Sequence, residues 1–341
     1  MRISFFLVLL LAFVTTDSFA QWTSGRPDGH APIGVMGDHT HGGGEFMISY
    51  RYMYMNMSGN RDGSDRISAD EVVSPEGQNF LISPTEMPMG MHMFGVMYAP
   101  TNQLTLMAMI PVLSSEMDHI TRAGGAFTTS SSGLGDIKLT ALYNVAKFGN
   151  SRVHLHGGVA FPTGSIESSD VTPASAPNET QLPYPMQLGS GTVDLLPGVT
   201  YLGQTMDWSW GIQARGTIRL GENDQDYALG NRFLFTTWGA RKLTPWISAS
   251  LRLEANSWED VSGASPAFAG PVNMRMVPTV FTDLRGGSRF DAGLGLNTTV
   301  NQGALKGLRF AVEGMVPVAQ NLDGPQLETD WQIIAGLQYA F

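Results

Sequence analysis

The sequence predicts an all-β protein, a transmembrane antiparallel up-and-down β-barrel of about twelve strands preceded by a signal peptide. Three observations favour this fold: many segments alternate apolar and polar residues, their connections alternate in length, and aromatic residues collect near the short connections. A bilayer offers no water to backbone amides. A chain that spans it without apolar helices must therefore close its sheet into a barrel.

The N-terminus has the pattern of a secretory signal. Arg2 is followed by an apolar run over residues 5–14, which is too short to cross a bilayer as a helix. Ser18 and Ala20 are small, as a signal peptidase requires, so cleavage is expected near Ala20. We assign residues 1–20 to the signal peptide, 21–44 to a periplasmic N-terminal segment or plug, and 45–341 to an outer-membrane β-barrel.

Composition narrows the classes of function. The chain has no cysteine, which excludes disulfides and thiolate metal sites. Its formal charge is −10 and its isoelectric point is near 5.1. Because no basic run is present to neutralise phosphates, nucleic acid is not an expected partner. Only 15% of the residues are charged and 40 are glycine, which fits β structure in one domain.

Twelve segments alternate with period two, and a single-chain bacterial barrel requires an even number. The last is the clearest, with Trp331, Ile333 and Leu337 on one face and Gln332 and Gln338 on the other. In chain order the segments lie near residues 45–57, 86–98, 104–113, 134–145, 152–162, 190–202, 208–219, 231–242, 246–257, 289–300, 308–318 and 331–341.

The connections support the same topology, because such barrels have short periplasmic turns and longer outer loops. The short ones are predicted at Pro100–Gln103, Ala146–Ser151, Gly203–Asp207, Leu243–Pro245 and Asn301–Gly307. The long ones are predicted at Gly59–Thr85, Ser114–Gly133, Gly164–Leu188 and Glu259–Gly287. Aromatic residues near the short turns form an expected interfacial girdle, which comprises Tyr98, Tyr143, Tyr201, Trp208, Trp246, Tyr339 and Phe341.

The C-terminal Phe341 resembles the signal that bacterial outer-membrane barrels present to their assembly machinery. We therefore expect the barrel assembly machinery and outer-membrane lipid as partners, and the outer membrane of a Gram-negative bacterium as the location.

Charged residues with lumen parity are the first candidate site, since ionisable groups at membrane depth must face water or each other. Two interpretations stay open: a structural lattice of ion pairs, or a selective constriction. We expect Asp136 and Asp194 to accept hydrogen bonds from Arg152 or Arg215. The full set is Arg51, Asp136, Lys138, Arg152, Asp194, Arg215, Arg219, Arg252, Glu254, Arg289, Asp291, Arg309 and Glu313.

Methionine and histidine give a second candidate, a copper or silver site, because thioethers and imidazoles bind these ions. Alternation of His92 with the neighbouring methionines predicts that the methionines of that strand face lipid. The remaining candidates are His39, His41, Met53, Met55, Met57, Met107, Met109, His154 and His156. The alternatives are flexible apolar packing for methionine and a solvated polar tail for His39 and His41.

Three short motifs resemble the meta-pathway phenol-degradation family of transporter-like outer-membrane β-barrels. GLGDIKL at 133–139 opens the fourth strand, FPTGS at 161–165 closes the fifth, and GSGTVDLLPG at 189–198 forms the sixth. The resemblance covers about residues 45–341. It implies a barrel that admits aromatic or other hydrophobic compounds.

The expected function is a porin-like channel or transporter for small, aromatic or hydrophobic solutes, with no cofactor. No nucleophile elbow, zincin motif or phosphate loop is present, so we expect no enzyme. Two alternatives remain: a copper- or silver-binding or metal-efflux accessory barrel, and a structural barrel with a closed lumen.

Overall fold

The computed structural model describes residues 23–341, so the predicted signal peptide and its cleavage site lie outside the described residues. Neither described helix has the length and apolar character needed to cross a membrane. The elements are β1 (Phe46–Gly63), β2 (Asp65–Ile67), α1 (Ala69–Val73), β3 (Ile82–Tyr98), β4 (Leu104–Thr121), β5 (Ala126–Leu134), β6 (Ile137–Phe148), β7 (Ser151–Phe161), β8 (Ser169–Val171), β9 (Glu179–Gln181), β10 (Val193–Leu195), β11 (Gly198–Gln204), β12 (Trp208–Leu220), β13 (Tyr227–Ala228), β14 (Arg232–Lys242), β15 (Ile247–Trp258), β16 (Ser262–Gly263), α2 (Ala269–Asn273), β17 (Gly287–Thr299) and β18 (Leu308–Ala340). Short 3-10 turns occupy Pro27–Gly29, Tyr184–Met186, Pro266–Phe268, Pro278–Val280 and Thr282–Leu284.

The strands form one closed antiparallel ring, as predicted. The order around it is β1, β3, β4, β6, β7, β11, β12, β14, β15, β17 and β18, and β18 returns to β1. β18 pairs with β17 through residues 309–322 and with β1 through residues 322–340. Gln320 exchanges two hydrogen bonds with the backbone of Thr329, so β18 folds back on itself. Its two arms bring the ring to twelve membrane strands.

At the long-loop end several strands are longer than predicted. β4 continues to Thr121 and pairs along its outer half with β5, so most of the expected loop Ser114–Gly133 is a hairpin. β5 is rich in serine and threonine, whose alternation carries no apolar signal. The prediction of a loop there was wrong because a strand that projects beyond the bilayer need not show a lipid-facing side.

The predicted sixth strand is broken into β10 and β11. Leu196 and Pro197 separate them, and Pro197 has no amide hydrogen to give to the ladder. The break does not detach this segment from the sheet, because the Pro197 carbonyl accepts a hydrogen bond from the amide of Gly216 on β12 at 2.8 Å. The Leu196 amide in turn donates to the Gly158 carbonyl at 2.8 Å.

An apolar belt surrounds the ring. Each membrane strand turns aliphatic or aromatic side chains outward, and in water so large an apolar surface would be unfavourable. Among the outward residues that are exposed are Ile48, Val96, Leu106, Leu139, Leu155, Ile212, Phe235, Leu251, Leu294, Phe310 and Ile333. At the short-turn end, five of the predicted girdle aromatics are exposed: Tyr98, Tyr143, Trp208, Trp246 and Phe341.

The expected orientation of β3 is wrong. His92 is exposed on the outer face, whereas Met93 and Met97 are buried inside. The imidazole is not left bare toward lipid, because its Nδ1 lies 2.8 Å from the hydroxyl of Tyr50 and its ring packs on Tyr52. Contacts with two tyrosines on β1 thus reduce the cost of an outward-facing histidine. The methionines of β3, on the other face of the strand, point into the lumen.

The long loops pack on one another over the outer end of the barrel. Tyr184 contacts Tyr227 and Phe268 in edge-to-face geometry, with ring centroids 4.8 and 5.0 Å away. Val261 and Val280 complete this apolar cluster. Burial raises the pKa of the Tyr227 phenol to about 12, so the hydroxyl stays protonated in any physiological medium.

The belt gives a direct test of the membrane assignment. Leu294, 71% exposed near the middle of β17, should face hydrocarbon. Leu294→Arg is expected to lower the free energy of unfolding in lipid vesicles by about 2–4 kcal/mol, the cost of an arginine at the bilayer midplane. Val171→Arg, in a hairpin of the outer loops, is the control and should change it little. Equal effects in urea titrations would contradict the assignment.

Candidate functional site

The N-terminal segment lies inside the barrel. We call residues 26–41 the inner segment; it enters and leaves at the short-turn end. On entry, the Asp28 carbonyl accepts from Ser209 Oγ at 2.6 Å, and the Arg309 guanidinium donates to the Arg26 carbonyl at 2.8 Å. On exit, the His41 amide donates to Thr105 Oγ1 at 3.0 Å.

The tip of the inner segment reaches the middle of the lumen, where its backbone groups need partners from the wall. The Ile33 carbonyl accepts from Arg51 Nε at 3.1 Å. The Met36 carbonyl accepts from Gln213 Nε2 at 3.0 Å and from Arg215 at 3.3 Å. Wall side chains therefore replace the water that would otherwise solvate these carbonyls.

Two glycines allow the tip to approach the wall closely. A Cβ on Gly34 would lie 2.7–2.8 Å from side-chain atoms of Ile334, Arg252 and Glu313. Gly37 has φ of +67°, a left-handed conformation that favours glycine. Its carbonyl accepts from His154 Nε2 at 2.9 Å. The Gly-rich character of this stretch thus has a packing reason.

The charged residues of β15, β17 and β18 form buried ion pairs on one side of the lumen. Arg252 lies between Glu254 and Glu313, with N–O separations of 3.2 and 2.9 Å. Glu313 also accepts from the Gly34 amide at 2.9 Å. Arg289 pairs with Asp291 at 2.9 Å. We call this side the charged wall.

The partners expected for Asp136 and Asp194 are corrected by the structure. Asp194 forms its ion pair with Arg219, which faces it directly across β10 and β12. Asp136 accepts from the backbone amides of Gly164 and Ser190 at 3.0 and 2.8 Å. Arg215 is instead bonded to the inner segment. Cross-strand register decides these pairs, and it could not be read from the sequence.

The other predicted lumen residues are spread along the barrel. Lys138 is half-buried on β6, where its backbone faces Met109 and Ala160 of the neighbouring strands. Arg152 lies at the short-turn end of β7, opposite Leu202. These two positions are far apart along the strands, so Lys138 and Arg152 do not share one constriction.

Methionines line a neighbouring part of the lumen, on β1, β3 and β4, where β1 pairs with β18. We call this the methionine wall. Five methionine pairs face each other across neighbouring strands: Met47 and Met97, Met53 and Met91, Met55 and Met89, Met57 and Met87, and Met97 and Met107. Met47, Met93, Met107 and Met109 pack into a buried cluster with Met36 of the inner segment.

The histidine pairs behave differently. The rings of His154 and His156 stack with centroids 5.0 Å apart, and their Nε2 atoms contact Gly37 O and Thr200 Oγ1. His39 and His41 also contact each other, with centroids 4.9 Å apart, but their Nε2 atoms are buried without a hydrogen-bond partner among residues 23–341. His30, which the sequence reasoning missed, lies against His39 at 3.8 Å.

A cavity of about 1040 Å³ lies along half of the ring. Six adjacent strands border it, each through about three consecutive residues, and only the concave side of a barrel brings six strands around one space. The residues at the centre of these stretches are Gly198, Arg215, Leu234, Asn256, Arg289 and Gln320. Since Arg215 also holds Met36, the cavity begins beside the tip of the inner segment.

Comparison with known proteins supports the fold. No family model matches the chain, and no curated protein matches it in sequence. Among solved structures, it is similar to the COG4313 outer membrane channel from Pseudomonas putida F1, with a TM-score of 0.60 and 12% identity over 91% of this chain and 100% of that one. The β domain of the Bordetella autotransporter BrkA has a TM-score of 0.45 at 8% identity, over 87% of this chain and 100% of that one. The barrel fold matches that of outer-membrane proteins of Gram-negative bacteria.

The charged wall makes a testable contribution to stability. Arg252→Ala would leave Glu254 and Glu313 buried together without a cation, which is expected to lower the free energy of unfolding by about 3–5 kcal/mol. Arg66→Ala is the control: this arginine pairs with Glu328 but is largely exposed, so its loss should cost at most about 1 kcal/mol. Similar losses for both variants in urea unfolding would show that the buried pairs do not stabilise the barrel.

Proposed function

We propose that the protein is an outer-membrane channel for small organic solutes that combine an apolar body, such as an aromatic ring, with a polar or charged group. It carries out no chemistry on the solute. The observation that carries this proposal is the division of the lumen into a methionine wall and a charged wall. Folding of the barrel itself is proposed to use the assembly machinery, which reads the C-terminal strand ending at Phe341.

The methionine wall suits apolar solutes of varied shape. Methionine is unbranched and polarisable, so a surface of thioethers adapts to different ring systems. A sugar would gain little there, because its hydroxyls would lose water without finding hydrogen-bond partners. The cavity of about 1040 Å³ is large enough for a single-ring compound.

Two arginines orient the polar end of such a solute: Arg289 of the charged wall and Arg215 of β12. Arg215 and Arg289 border the cavity, and Arg215 is not part of a carboxylate pair among the described residues. A solute carboxylate would meet these guanidinium groups, which favour bidentate contact with carboxylates. The apolar part would face the methionines of β1, β3 and β4 once the inner segment, whose Met36 covers Met93 and Met109, has moved.

The inner segment is proposed to act as a plug. It occupies the half of the lumen nearer the short turns, and most of its residues from Pro27 to His41 are buried. Hydrogen bonds and side-chain packing, with no covalent link, hold its tip to the wall. Such a segment can shift or leave without breaking the strand ladder, which gives the channel a closed and an open form.

Removing the plug should open the channel. A variant that lacks residues 26–41 is expected to show larger single-channel conductance in planar bilayers than the full chain. Gly34→Leu gives a point-mutation check, because its side chain would clash with Arg252 and Glu313 and displace the tip. If both variants fold and conduct no more than the full chain, the barrel is a closed structural one and the proposal fails.

Selectivity should depend on the methionine wall. Vesicles containing the open variant are expected to take up an aromatic carboxylate faster than a sugar of similar size. Met93→Gln combined with Met109→Gln should reduce that preference several-fold, since amides replace the buried thioethers. The matched control, Met206→Gln, changes a 75% exposed methionine at a short turn and should leave uptake unchanged. An unchanged preference in the double variant would contradict the proposed role of the wall.

A further inference from the structure

Three histidines of the inner segment lie together at the short-turn end of the barrel. The rings of His30 and His39 have centroids 3.8 Å apart, and those of His39 and His41 are 4.9 Å apart. Donor atoms of His30, His39 and Asp38 all lie within 4.8 Å of one another. All four side chains are buried.

One nitrogen of each ring is already held by an oxygen. His39 Nδ1 lies 2.8 Å from Asp38 Oδ1, His41 Nδ1 lies 3.2 Å from Glu45 Oε2, and His30 Nδ1 lies 3.2 Å from Gln338 Oε1. An oxygen partner at Nδ1 places the ring proton there and leaves Nε2 with a free lone pair. Metal-binding histidines have this arrangement, because the outer partner fixes the tautomer and makes the ligand more basic.

The free nitrogens lack partners within the protein. His39 Nε2 and His41 Nε2 are buried and accept no hydrogen bond from any residue that the structure describes. A buried polar atom without a partner is costly, so two neighbouring ones point to a missing ligand. Asp38 is oriented as well, since its second oxygen accepts from the Ala31 amide at 2.9 Å.

A second cavity gives the cluster access from outside. It measures about 240 Å³, lies at the short-turn end, and is bordered by His30, His41 and Glu45. An ion could therefore enter from the side of the membrane where the short turns lie. Lys306 and Arg309 also border this cavity. Arg51 and Arg309 donate to the backbone carbonyls of Ile33 and Arg26.

We propose that His30 and His39 bind one divalent transition-metal ion of the Zn²⁺ or Cu²⁺ class through ring nitrogens, with Asp38 as the carboxylate that positions His39 and the neighbouring His41 as a third imidazole. Imidazole donors with an adjacent carboxylate suit these ions, whereas Mg²⁺ and Ca²⁺ prefer sites built of oxygen. Cu(I) and Ag(I) prefer thioethers and would favour the methionine wall instead.

The bound ion would tie together the two limbs of the inner segment. His30 lies on the limb that enters the lumen, while His39 and His41 lie on the limb that leaves it. A ligand that binds only the folded arrangement stabilises it by mass action. This site is separate from the solute cavity, so it stands or fails independently of the proposed channel function.

Titration calorimetry on the full chain in detergent tests the site, with Zn²⁺, Cu²⁺ and Mg²⁺ as the probes. We expect one Zn²⁺ or Cu²⁺ per chain and no binding of Mg²⁺. His39→Ala and His30→Ala should each weaken binding at least 100-fold, and Asp38→Asn about 10–100-fold, as for an outer partner of a ligand. His119→Ala is the matched control, because this histidine is also buried but stacks on Phe127 in the outer hairpin.

Two further readouts guard against misfolded variants. The heat-dependent shift of the folded band on gels establishes that each variant forms the barrel, and His41→Gln replaces any alanine variant that does not. With Cu²⁺ bound, electron paramagnetic resonance should show coupling to several imidazole nitrogens. Absence of binding to the folded full chain would overturn the proposal, as would equal binding by the folded histidine variants.

Discussion

Closure of the backbone ladder between the first and last strands is the constraint on which the rest of the structure depends. Phe46 and Phe341 exchange two hydrogen bonds of 2.9 Å, and the register continues from Met47 opposite Ala340 along the full length of β1. An open edge would expose a row of unpaired amides to hydrocarbon, at several kcal/mol for each group. The apolar belt is tolerable only because this seam removes the edge.

A closed ring of this size encloses space that something must occupy, and here the protein supplies its own occupant. The inner segment is bound mainly through its backbone, by Arg51, Gln213 and His154. Long polar side chains reach inward for carbonyls because no strand is available there. The methionine wall and the charged wall, on neighbouring parts of the ring, then contact different parts of the lumen contents.

Much of the fold could be predicted from the sequence, because lipid imposes a period-two pattern on every strand that faces it. The prediction is wrong where that pattern is absent or ambiguous. β5 projects beyond the bilayer and consists mostly of serine and threonine, and β3 is apolar on both faces, so His92 gave the wrong orientation. The partner of Asp194 depends on register, which alternation does not encode.

The candidate site was harder to predict for a related reason. Charged residues could be assigned to the lumen strand by strand, but pairs such as Arg252 with Glu313 come from different strands. The sequence suggested chelation by His39 and His41 and gave no reason to include His30, which lies nine and eleven residues earlier on the opposite limb. Only the path of the inner segment brings these rings together, and nothing in its composition specifies that path.

Chemical cross-linking tests most directly whether the barrel holds its own N-terminal segment. Ile33 of the inner segment packs against Ala311 of the wall, and the natural chain has no cysteine to interfere. In outer-membrane fragments, the Ile33→Cys, Ala311→Cys variant should form an intramolecular cross-link with a short thiol-reactive linker. A pair of Ile33→Cys with the outward Leu294→Cys should not. Failure of the first pair to react, or equal reaction of both pairs, would contradict the account.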